Sequence, residues 1–289
     1  MKIIVTGGSG FTGRRVVSRL VARGDDVVGL ARSSTAADCL IRLGATPIGG
    51  DLEDPESIDE AFRLADAPNL VNLASLGFGH AGSIIAAAEE AGINRAVFVS
   101  TTAIFTTLAA PSKSIRLEAE AQVRSSGLDW TIVRPTMIYG APGDRNMSRL
   151  LGVLRRARAF PQPGGGHRLQ QPVHVDDLAD AIVACFDAPV ADGQTYDLAG
   201  PEALPFRTLV EQAAAAVDRR ARLVPVPLAP VIGALRLYER IIKDPKIKSE
   251  QLERLAEDKA FDIGPARRDL GYAPRSFEVG IRAEAAQLL

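Results

Sequence analysis

The sequence predicts an α/β protein: a doubly wound parallel sheet with helices on both faces and a smaller C-terminal lobe. Up to Arg134, short apolar runs alternate with segments of helical periodicity, which is the pattern of βαβ units. After about Gly140 this alternation breaks down, and Gly and Pro cluster at residues 161–166. A hydrophobic fraction of 46% with 24% charged residues is typical of an ordinary globular chain.

The predicted strands are short and rich in Val and Ile, as expected for strands buried on both faces. They cover residues 2–5, 26–30, 46–48, 69–73, 96–100 and 130–134. The predicted helices between them cover residues 13–23, 35–43, 56–65, 82–91 and 115–126. Strands separated by helices in this way indicate βαβ units and therefore a parallel sheet, whose crossovers should be right-handed.

The second half of the chain predicts fewer strands and more helix. A helix is expected at 176–186, a strand at 194–198, a helix at 206–218, a short strand at 223–227 and mostly helix from 231 onward. We expect residues 1–140 to form the sheet domain, which also receives strands from about 170–200. Residues 141–289 should form the smaller lobe, partly interleaved with the sheet domain. Ligands of open α/β sheets bind beyond the carboxyl ends of the strands, so this substrate lobe would close a crevice there.

The charge balance argues against several classes of partner. Lys and Arg number 34 against 35 Asp and Glu, a net charge of −1, which leaves no basic footprint for nucleic acid. No run approaches the length of apolar sequence that spans a membrane, so no membrane association is expected.

Cysteine usage and the N-terminal residues favour a cytoplasmic protein. Cys39 and Cys185 lie far apart and form no CxxC, so neither a disulfide framework nor a Cys-rich zinc site is expected. The opening MKIIVTGG runs directly into a strand and lacks the features of a signal peptide. No other residues group as metal ligands, and we predict no metal site.

A glycine-rich turn follows the first predicted strand and opens the first helix. Gly7, Gly10 and Gly13 have the spacing G-x-x-G-x-x-G. Such a turn lets the backbone approach a pyrophosphate, and the helix N-terminus presents unpaired amides to it. A plain strand-to-helix turn can also be Gly-rich, but the position inside a βαβ unit favours a Rossmann-type dinucleotide site. We expect this site to include Phe11 and Thr12 as well as the three glycines.

The residues after the second and third strands bear on which dinucleotide binds. An NAD site usually has an acid after the second strand, whereas this chain has Arg32 and Ser33, which suit a 2′-phosphate. We therefore expect NADP to be preferred, with NAD possible; alternatively, Arg32 is a solvated loop residue. Asp51, followed by Leu52, could accept a hydrogen bond from the adenine amino group or simply serve a turn.

Motifs along almost the whole chain resemble the extended short-chain dehydrogenase/reductase superfamily, specifically the NAD-dependent epimerase/dehydratase group. They are VTGGSGFTG at 5–13, GDLEDPESI at 50–58, VNLAS at 71–75, AGINRAVFVSTTAIF at 91–105, SGLDWTIVRPTMIYG at 126–140, QQPVHVDDLADAI at 170–182 and LGYAP at 270–274. The resemblance implies the fold, a C-terminal substrate lobe and a nicotinamide face near Arg134 and Pro135. It also implies that Ala74 and Ser100 line the cofactor, and that two copies could pair through the helices at 82–91 and 115–126.

One departure from this family concerns its acid–base pair. Members usually carry Tyr-x-x-x-Lys at the start of the helix after the fifth strand, and the equivalent positions here are Ser112 and Arg116. A serine hydroxyl is a much weaker acid than a phenol assisted by a cation. The chain is therefore similar to atypical members, the branch that includes an accessory complex I subunit and the NmrA-like redox sensors. None of its tyrosines has Lys four residues on: Tyr139, Tyr196, Tyr238 and Tyr272.

Three other residues are candidates for the reacting centre. Thr102 falls where the family places an active-site Ser or Thr, and it could bind a substrate carbonyl or cap the strand end. Tyr139 could reach the crevice as a proton donor or pack as a core aromatic. His174 precedes Asp176 and Asp177; we expect the acids to cap the following helix and His174 to pack between the lobes, with catalysis as the alternative.

These features support two hypotheses of function. The first is an NAD(P)-binding oxidoreductase or epimerase/dehydratase-like enzyme that acts on a small carbonyl or hydroxyl substrate through a non-standard centre, with Thr102 polarising the carbonyl. The second is a non-catalytic NADP-binding redox sensor or an assembly or regulatory protein. The missing Tyr-x-x-x-Lys favours the second, and the complete cleft scaffold favours the first.

Overall fold

The computed structural model describes residues 1–288 apart from 109, 142, 145, 158, 243–252 and 254–255. Its centre is a seven-stranded sheet in which every neighbouring pair is parallel. The strands are β1 (Lys2–Thr6), β2 (Asp26–Ala31), β3 (Thr46–Gly49), β4 (Asn69–Asn72), β5 (Arg95–Val99), β6 (Asp129–Pro135) and β11 (Gln194–Leu198). Their order is β11-β6-β5-β4-β1-β2-β3, so strands are added to one side of the sheet from β1 to β3 and to the other side from β4 onward. Open α/β sheets bind ligands at such a switch point.

The remaining strands form small pairs outside the main sheet. They are β7 (Ile138–Tyr139), β8 (Ala159–Pro163), β9 (Leu169–Gln170), β10 (Val173–His174), β12 (Leu204–Pro205) and β13 (Arg222–Val226). β7 pairs with β10 and β8 with β13 in parallel, while β9 and β12 are antiparallel.

Eleven α-helices lie within the described ranges. They are α1 (Gly13–Ala22), α2 (Ser34–Arg42), α3 (Pro55–Ala65), α4 (Ala81–Glu90), α5 (Pro111–Ser125), α6 (Met147–Arg156), α7 (Val175–Ala184), α8 (Phe206–Ala216), α9 (Leu228–Ile241), α10 (Gly264–Leu270) and α11 (Phe277–Gln287). Their starts follow local chemistry: Ser33, Asp54 and Ser276 cap α2, α3 and α11 by accepting backbone N–H bonds.

Alternate residues of each central strand enter opposite cores. In β1, Ile3 and Val5 face one core, where α1 and α7 contribute Leu20 and Leu178, whereas Ile4 faces the other. The second core is completed by side chains of α3, α4 and α5, among them Ile58, Phe62, Ile84 and Val123. Because helices cover both faces, the strands are apolar at nearly every position. The predicted doubly wound α/β fold is confirmed.

A third cluster of buried side chains lies outside the sheet, and we call its elements the C-terminal lobe. It joins α6, α8 and α11, with Leu151, Val210, Phe277 and Ile281 fully or almost fully buried. Within the described ranges, no helix combines the length and apolar character needed to cross a membrane. The same residues include no group of three or more His, Cys, Asp or Glu placed to hold a metal.

Candidate cofactor and active site

The glycine turn between β1 and α1 is too tight for side chains. Gly7 has a φ of +67°, and a Cβ there would lie 3.0 Å from the backbone of Leu73 and Ala74. A Cβ on Gly13 would lie 2.1 Å from the carbonyl oxygen of Gly7. The turn is closed by a hydrogen bond from the amide of Gly10 to that same oxygen, at 3.0 Å. The glycines are therefore required by the backbone path itself, and they form a cradle that a diphosphate fits.

The N-terminus of α1 is left open toward this cradle. Thr12 occupies the N-cap position, and its hydroxyl makes no capping hydrogen bond to the described residues. The first turn of α1 carries no acidic side chain that would repel an anion. Phe11 contacts Arg15, whose guanidinium carbon lies 5.5 Å from the ring centroid. The amides of Arg14 and Arg15 donate to the carbonyl oxygens of Gly10 and Thr12 at 3.0 Å, so what the first turn offers an anion is its positive dipole end.

Ala74 is held beside the glycine turn by two hydrogen bonds. Thr6 Oγ1 donates to Asn72 Oδ1 at 2.6 Å, and Asn72 Nδ2 donates to the carbonyl oxygen of Ala74 at 3.2 Å. The first of these bonds is buried. The ends of β1 and β4 are thereby fixed relative to each other, at the switch point of the sheet.

The residues expected at the adenosine end lie together at the edge formed by β2 and β3. Arg32 is exposed directly after β2, and Ser33 Oγ accepts the amide of Ala36 at 3.3 Å. Asp51 Oδ1 accepts the amide of Glu53 at 3.1 Å, so this carboxylate does serve a turn. Leu52 packs partly buried against the core.

The residues expected at the nicotinamide end lie at the ends of β5 and β6. Thr102 is buried and donates through Oγ1 to the carbonyl oxygen of Pro135 at 3.3 Å. Ser100 donates through Oγ to Glu120 Oε1 at 2.6 Å, a buried contact that directs its hydroxyl toward α5. Thr102 and Pro135 therefore lie in contact at this edge, whereas the Ser100 hydroxyl is committed elsewhere.

Glu120 is a central residue that the sequence reasoning missed. Its fully buried carboxylate accepts hydrogen bonds from Arg134, Arg124 and Ser100. Burial alone would raise the pKa of Glu120, but the bonds from Arg134 and Ser100 outweigh it and lower the pKa. The Arg134 guanidinium also lies over the Phe105 ring, 5.1 Å from its centroid. A signal was present in the sequence, since Ser112, Arg116 and Glu120 recur every four residues on one helix face.

Ser112 and Arg116 form a hydrogen-bonded pair in the first turns of α5. Arg116 Nη1 donates to Ser112 Oγ at 2.7 Å and to its carbonyl oxygen at 3.4 Å. The guanidinium also packs against Gly77, where a Cβ would come within 2.9 Å of it. A hydroxyl and a fixed cation thus stand one helical turn apart, at the positions that the family resemblance equates with Tyr-x-x-x-Lys.

Of the two roles expected for Tyr139, the structure has the packed core aromatic and not the proton donor in the crevice. Its side chain is 1% exposed, with its ring 5.3 Å from that of His174 and 5.1 Å from that of Phe277. Its hydroxyl fits against Gly280, where a Cβ would approach it to 2.2 Å. Burial raises the pKa of this phenol further. Tyr139 is a packing residue between β7 and α11.

His174 has a structural position at the start of α7. Its Nδ1 accepts the amide of Asp176 at 3.2 Å, so the histidine itself caps the helix that Asp176 or Asp177 was expected to cap. Asp177 instead binds Arg275, which donates to it from both its amide and its guanidinium. The contact between Asp177 and Arg275 therefore joins α7 to the segment that leads into α11.

This glycine cradle at the switch point of a doubly wound sheet defines a Rossmann-type dinucleotide-binding protein. The chain belongs to the NAD(P)H-binding family, whose model matches residues 7–189. It is 29% identical to a 2-alkyl-3-oxoalkanoate reductase of Stenotrophomonas maltophilia, over 98% of each chain. It is 25% identical to the photosystem II assembly factor Ycf39 of a Synechocystis species, over 95% of this chain and 87% of that one.

Solved structures share the fold. The UDP-glucuronic acid 4-epimerase of Bacillus cereus, solved in complex with NAD, superposes with a TM-score of 0.76 at 16% identity, covering 100% of this chain and 96% of that one. The reductase and epimerase likeness agrees with the resemblance inferred from the motifs.

Proposed function

We propose that this protein is an NADP(H)-dependent reductase of a ketone or similar carbonyl substrate. The observation that carries the proposal is the Ser112–Arg116 hydrogen bond of 2.7 Å at the tyrosine–lysine positions of α5. Because Arg116 donates to Ser112 Oγ, the serine proton is left free to point at a substrate oxygen. The fixed guanidinium charge would stabilise negative charge that develops on that oxygen.

The chemistry divides between cofactor and protein. Bound NADPH would supply the hydride to the carbonyl carbon. Ser112 would donate its proton to the resulting alkoxide and regain one from water. Thr102 would orient the carbonyl once its hydroxyl turns from the Pro135 oxygen toward the substrate. The similarity to a reductase of 3-oxoalkanoates supports a ketone as the reacting group.

NADP is proposed over NAD because of the chemistry after β2. Arg32 is exposed there, and Ser33 accepts the Ala36 amide, which leaves the serine proton available for a phosphate oxygen. The first turn of α2 holds no acidic residue, so its positive dipole end also favours a 2′-phosphate. Asp51 is proposed to meet the adenine with the carboxylate oxygen that is not used by Glu53.

Calorimetric titration with NADPH and NADH tests the cofactor assignment. Arg32→Ala should weaken NADPH binding by roughly tenfold to a hundredfold and leave NADH binding unchanged, since a charge-assisted contact is worth about 1.5–3 kcal/mol. Arg42→Ala, in the last turn of α2, should change neither affinity. An equal loss of affinity for NADPH and NADH in Arg32→Ala would show that Arg32 does not recognise a 2′-phosphate.

Oxidation of NADPH with a panel of 3-oxo acids and other ketones tests the reaction. Ser112→Ala and Arg116→Met should each lower kcat by at least about a hundredfold, the lower end of what such groups contribute. NADPH affinity should stay close to that of the unmodified protein in Ser112→Ala. Turnover that is insensitive to both changes would remove the proposed roles.

The presence of Ser112 at the tyrosine position also favours a second function. A serine hydroxyl is a weak acid, and the Thr102 hydroxyl already donates to Pro135. A non-catalytic NADP-binding protein that regulates or assembles a partner would need neither group, and one relative is an assembly factor. Tight NADPH binding without turnover of any carbonyl in the panel would favour this alternative.

A further inference from the structure

A short segment of the C-terminal part of the chain crosses from the lobe to the sheet domain; we call residues 257–261 the strap. On the lobe side, Leu169 donates its amide to Asp258 Oδ1 at 2.8 Å and accepts the amide of Lys259 at 2.9 Å. Phe261 donates its amide to Gln171 Oε1 at 2.7 Å. The strap therefore runs alongside β9, whose partner strand β12 contributes Leu204 to the buried cluster of the lobe.

On the sheet side, the Glu257 carboxylate binds the loop between β5 and α5. Its two carboxylate oxygens accept three hydrogen bonds of 2.7 Å, from Thr106 Oγ1, from the Thr107 amide and from Thr107 Oγ1. Burial would raise the pKa of Glu257, but the bonds from Thr107 and Thr106 outweigh it and lower the pKa. Phe261 adds a ring contact to Phe105, with centroids 5.8 Å apart.

The loop that Glu257 binds connects two parts of the proposed reacting centre. It follows the single-turn helix Thr102–Phe105 and leads into the first turn of α5, which contains Ser112. Within the loop, Lys113 Nζ donates to the carbonyl oxygen of Thr106 at 2.5 Å, and Leu108 donates its amide to Thr106 Oγ1 at 3.3 Å. A displacement of Thr106 would therefore be transmitted to the start of α5.

We propose that Glu257 is a positioning residue of the active site: by holding Thr106 and Thr107 it sets Thr102 and Ser112 in register across the crevice. This inference rests on the proposed reductase function. The nucleotide cradle lies at β1, β2 and β4 and makes none of the Glu257 contacts described above. Glu257 should therefore govern turnover and leave cofactor affinity unaffected.

The test combines kinetics with hydrogen exchange on the full chain. Glu257→Ala should speed exchange of the Thr107 amide and lower kcat by at least about tenfold, because small misplacements of reacting groups cost rate. NADPH affinity should change less than about twofold. Glu257→Gln, which keeps an acceptor for the Thr107 amide, should recover part of both losses. The exposed Glu211→Ala serves as the control and should alter none of these values.

The outcomes separate this inference from the proposed function. Faster Thr107 exchange with unchanged kcat and KM in Glu257→Ala would overturn the positioning role. Unchanged exchange would overturn the contact itself, and Thr106→Val with Thr107→Val provides the same test from the other side if Glu257→Ala does not fold. Absence of turnover in the unmodified protein would instead overturn the reductase proposal and, with it, any catalytic role of Glu257.

Discussion

Glu120 and Arg134 form a two-pronged ion pair beneath the candidate site. Arg134 Nε lies 2.9 Å from Glu120 Oε1, and Arg134 Nη2 lies 2.5 Å from Glu120 Oε2. Glu120 belongs to α5, which carries Ser112 and Arg116, whereas Arg134 directly precedes Pro135 in β6. The pair thus fixes the helix of the proposed acid–base residues against the strand end that contacts Thr102.

Glu120→Ala should destabilise the protein by about 3 kcal/mol, since removing one partner leaves the other charge buried without compensation. The expected loss appears as a lower urea midpoint with an unchanged slope. Glu118→Ala, at an exposed position of the same helix, should change stability by less than about 0.5 kcal/mol. Similar losses of stability in the two variants would show that the buried ion pair contributes no more than an exposed side chain does.

Gly13→Ala should abolish or greatly weaken dinucleotide binding. The added methyl group would meet the Gly7 carbonyl at 2.1 Å, so the turn and the start of α1 must move apart. NADPH affinity measured by calorimetry should fall by more than about tenfold, or 1.4 kcal/mol. Gly152→Ala is the matched control: the space around Gly152 is open, so α6 should gain up to about 1 kcal/mol while NADPH affinity stays the same. Full NADPH affinity in Gly13→Ala would place the nucleotide elsewhere.

The parts of the fold that the sequence predicts are those set by neighbours in the chain. The apolar runs correspond to β1 through β6 because burial on both faces requires an apolar side chain at nearly every position. The glycine turn is equally local, since the clash that forbids a side chain at Gly13 comes from Gly7, only six residues earlier. Element ends differ by a few residues, as where α2 begins at Ser34 rather than residue 35.

The parts of the site that the sequence could not predict depend on distant residues. Tyr139 closely follows β6, yet the pairing of β7 with β10 turns it toward α11, where Gly280 leaves room for its hydroxyl. Glu257 meets Thr106 and Thr107 across about 150 residues, and no local pattern marks such a contact. Glu120 is intermediate, because its helical spacing is visible but Arg134 as its partner is not.

His174 should make the fold sensitive to acid. Burial, followed by the charge of Arg275, lowers the pKa of His174, although Asp176 and Asp177 oppose this. The folded state thus resists a proton that the unfolded chain accepts below its ordinary pKa of about 6.5, so stability present at higher pH is lost as the pH falls. His174→Phe should cost about 1 kcal/mol at pH 8 through the lost helix cap.

The difference between this variant and the unmodified protein should then shrink between pH 7 and pH 5, as followed by thermal melts. His167→Phe, at an exposed position, should leave the change of melting temperature with pH as it is in the unmodified protein. A constant difference at all pH values would mean that His174 contributes packing and the cap alone.

Glu284 is a buried carboxyl group that fastens α11 to the start of α6. Its Oε2 accepts the amide of Gly140 at 2.9 Å, and its Oε1 accepts the hydroxyl of Ser148 at 2.7 Å. Asp144, which accepts the amides of Asn146 and Met147, lies beside it. Burial, followed by the interaction with Asp144, raises the pKa of Glu284 to about 8. The group therefore holds its proton in the folded protein at neutral pH.

This shift has the opposite sign to that of His174. The unfolded chain releases the Glu284 proton above its ordinary value of 4.5, whereas the folded protein keeps it until about pH 8. The stabilisation is fully present below pH 4.5 and is lost as the pH rises through 8. Glu284→Gln, which mimics the protonated group, should flatten the fall in melting temperature between pH 6 and pH 9. The exposed Glu278→Gln on the same helix should keep that fall. If the melting temperatures of both variants fall as that of the unmodified protein does, another group titrates in this range and Glu284 is ionised in the folded state.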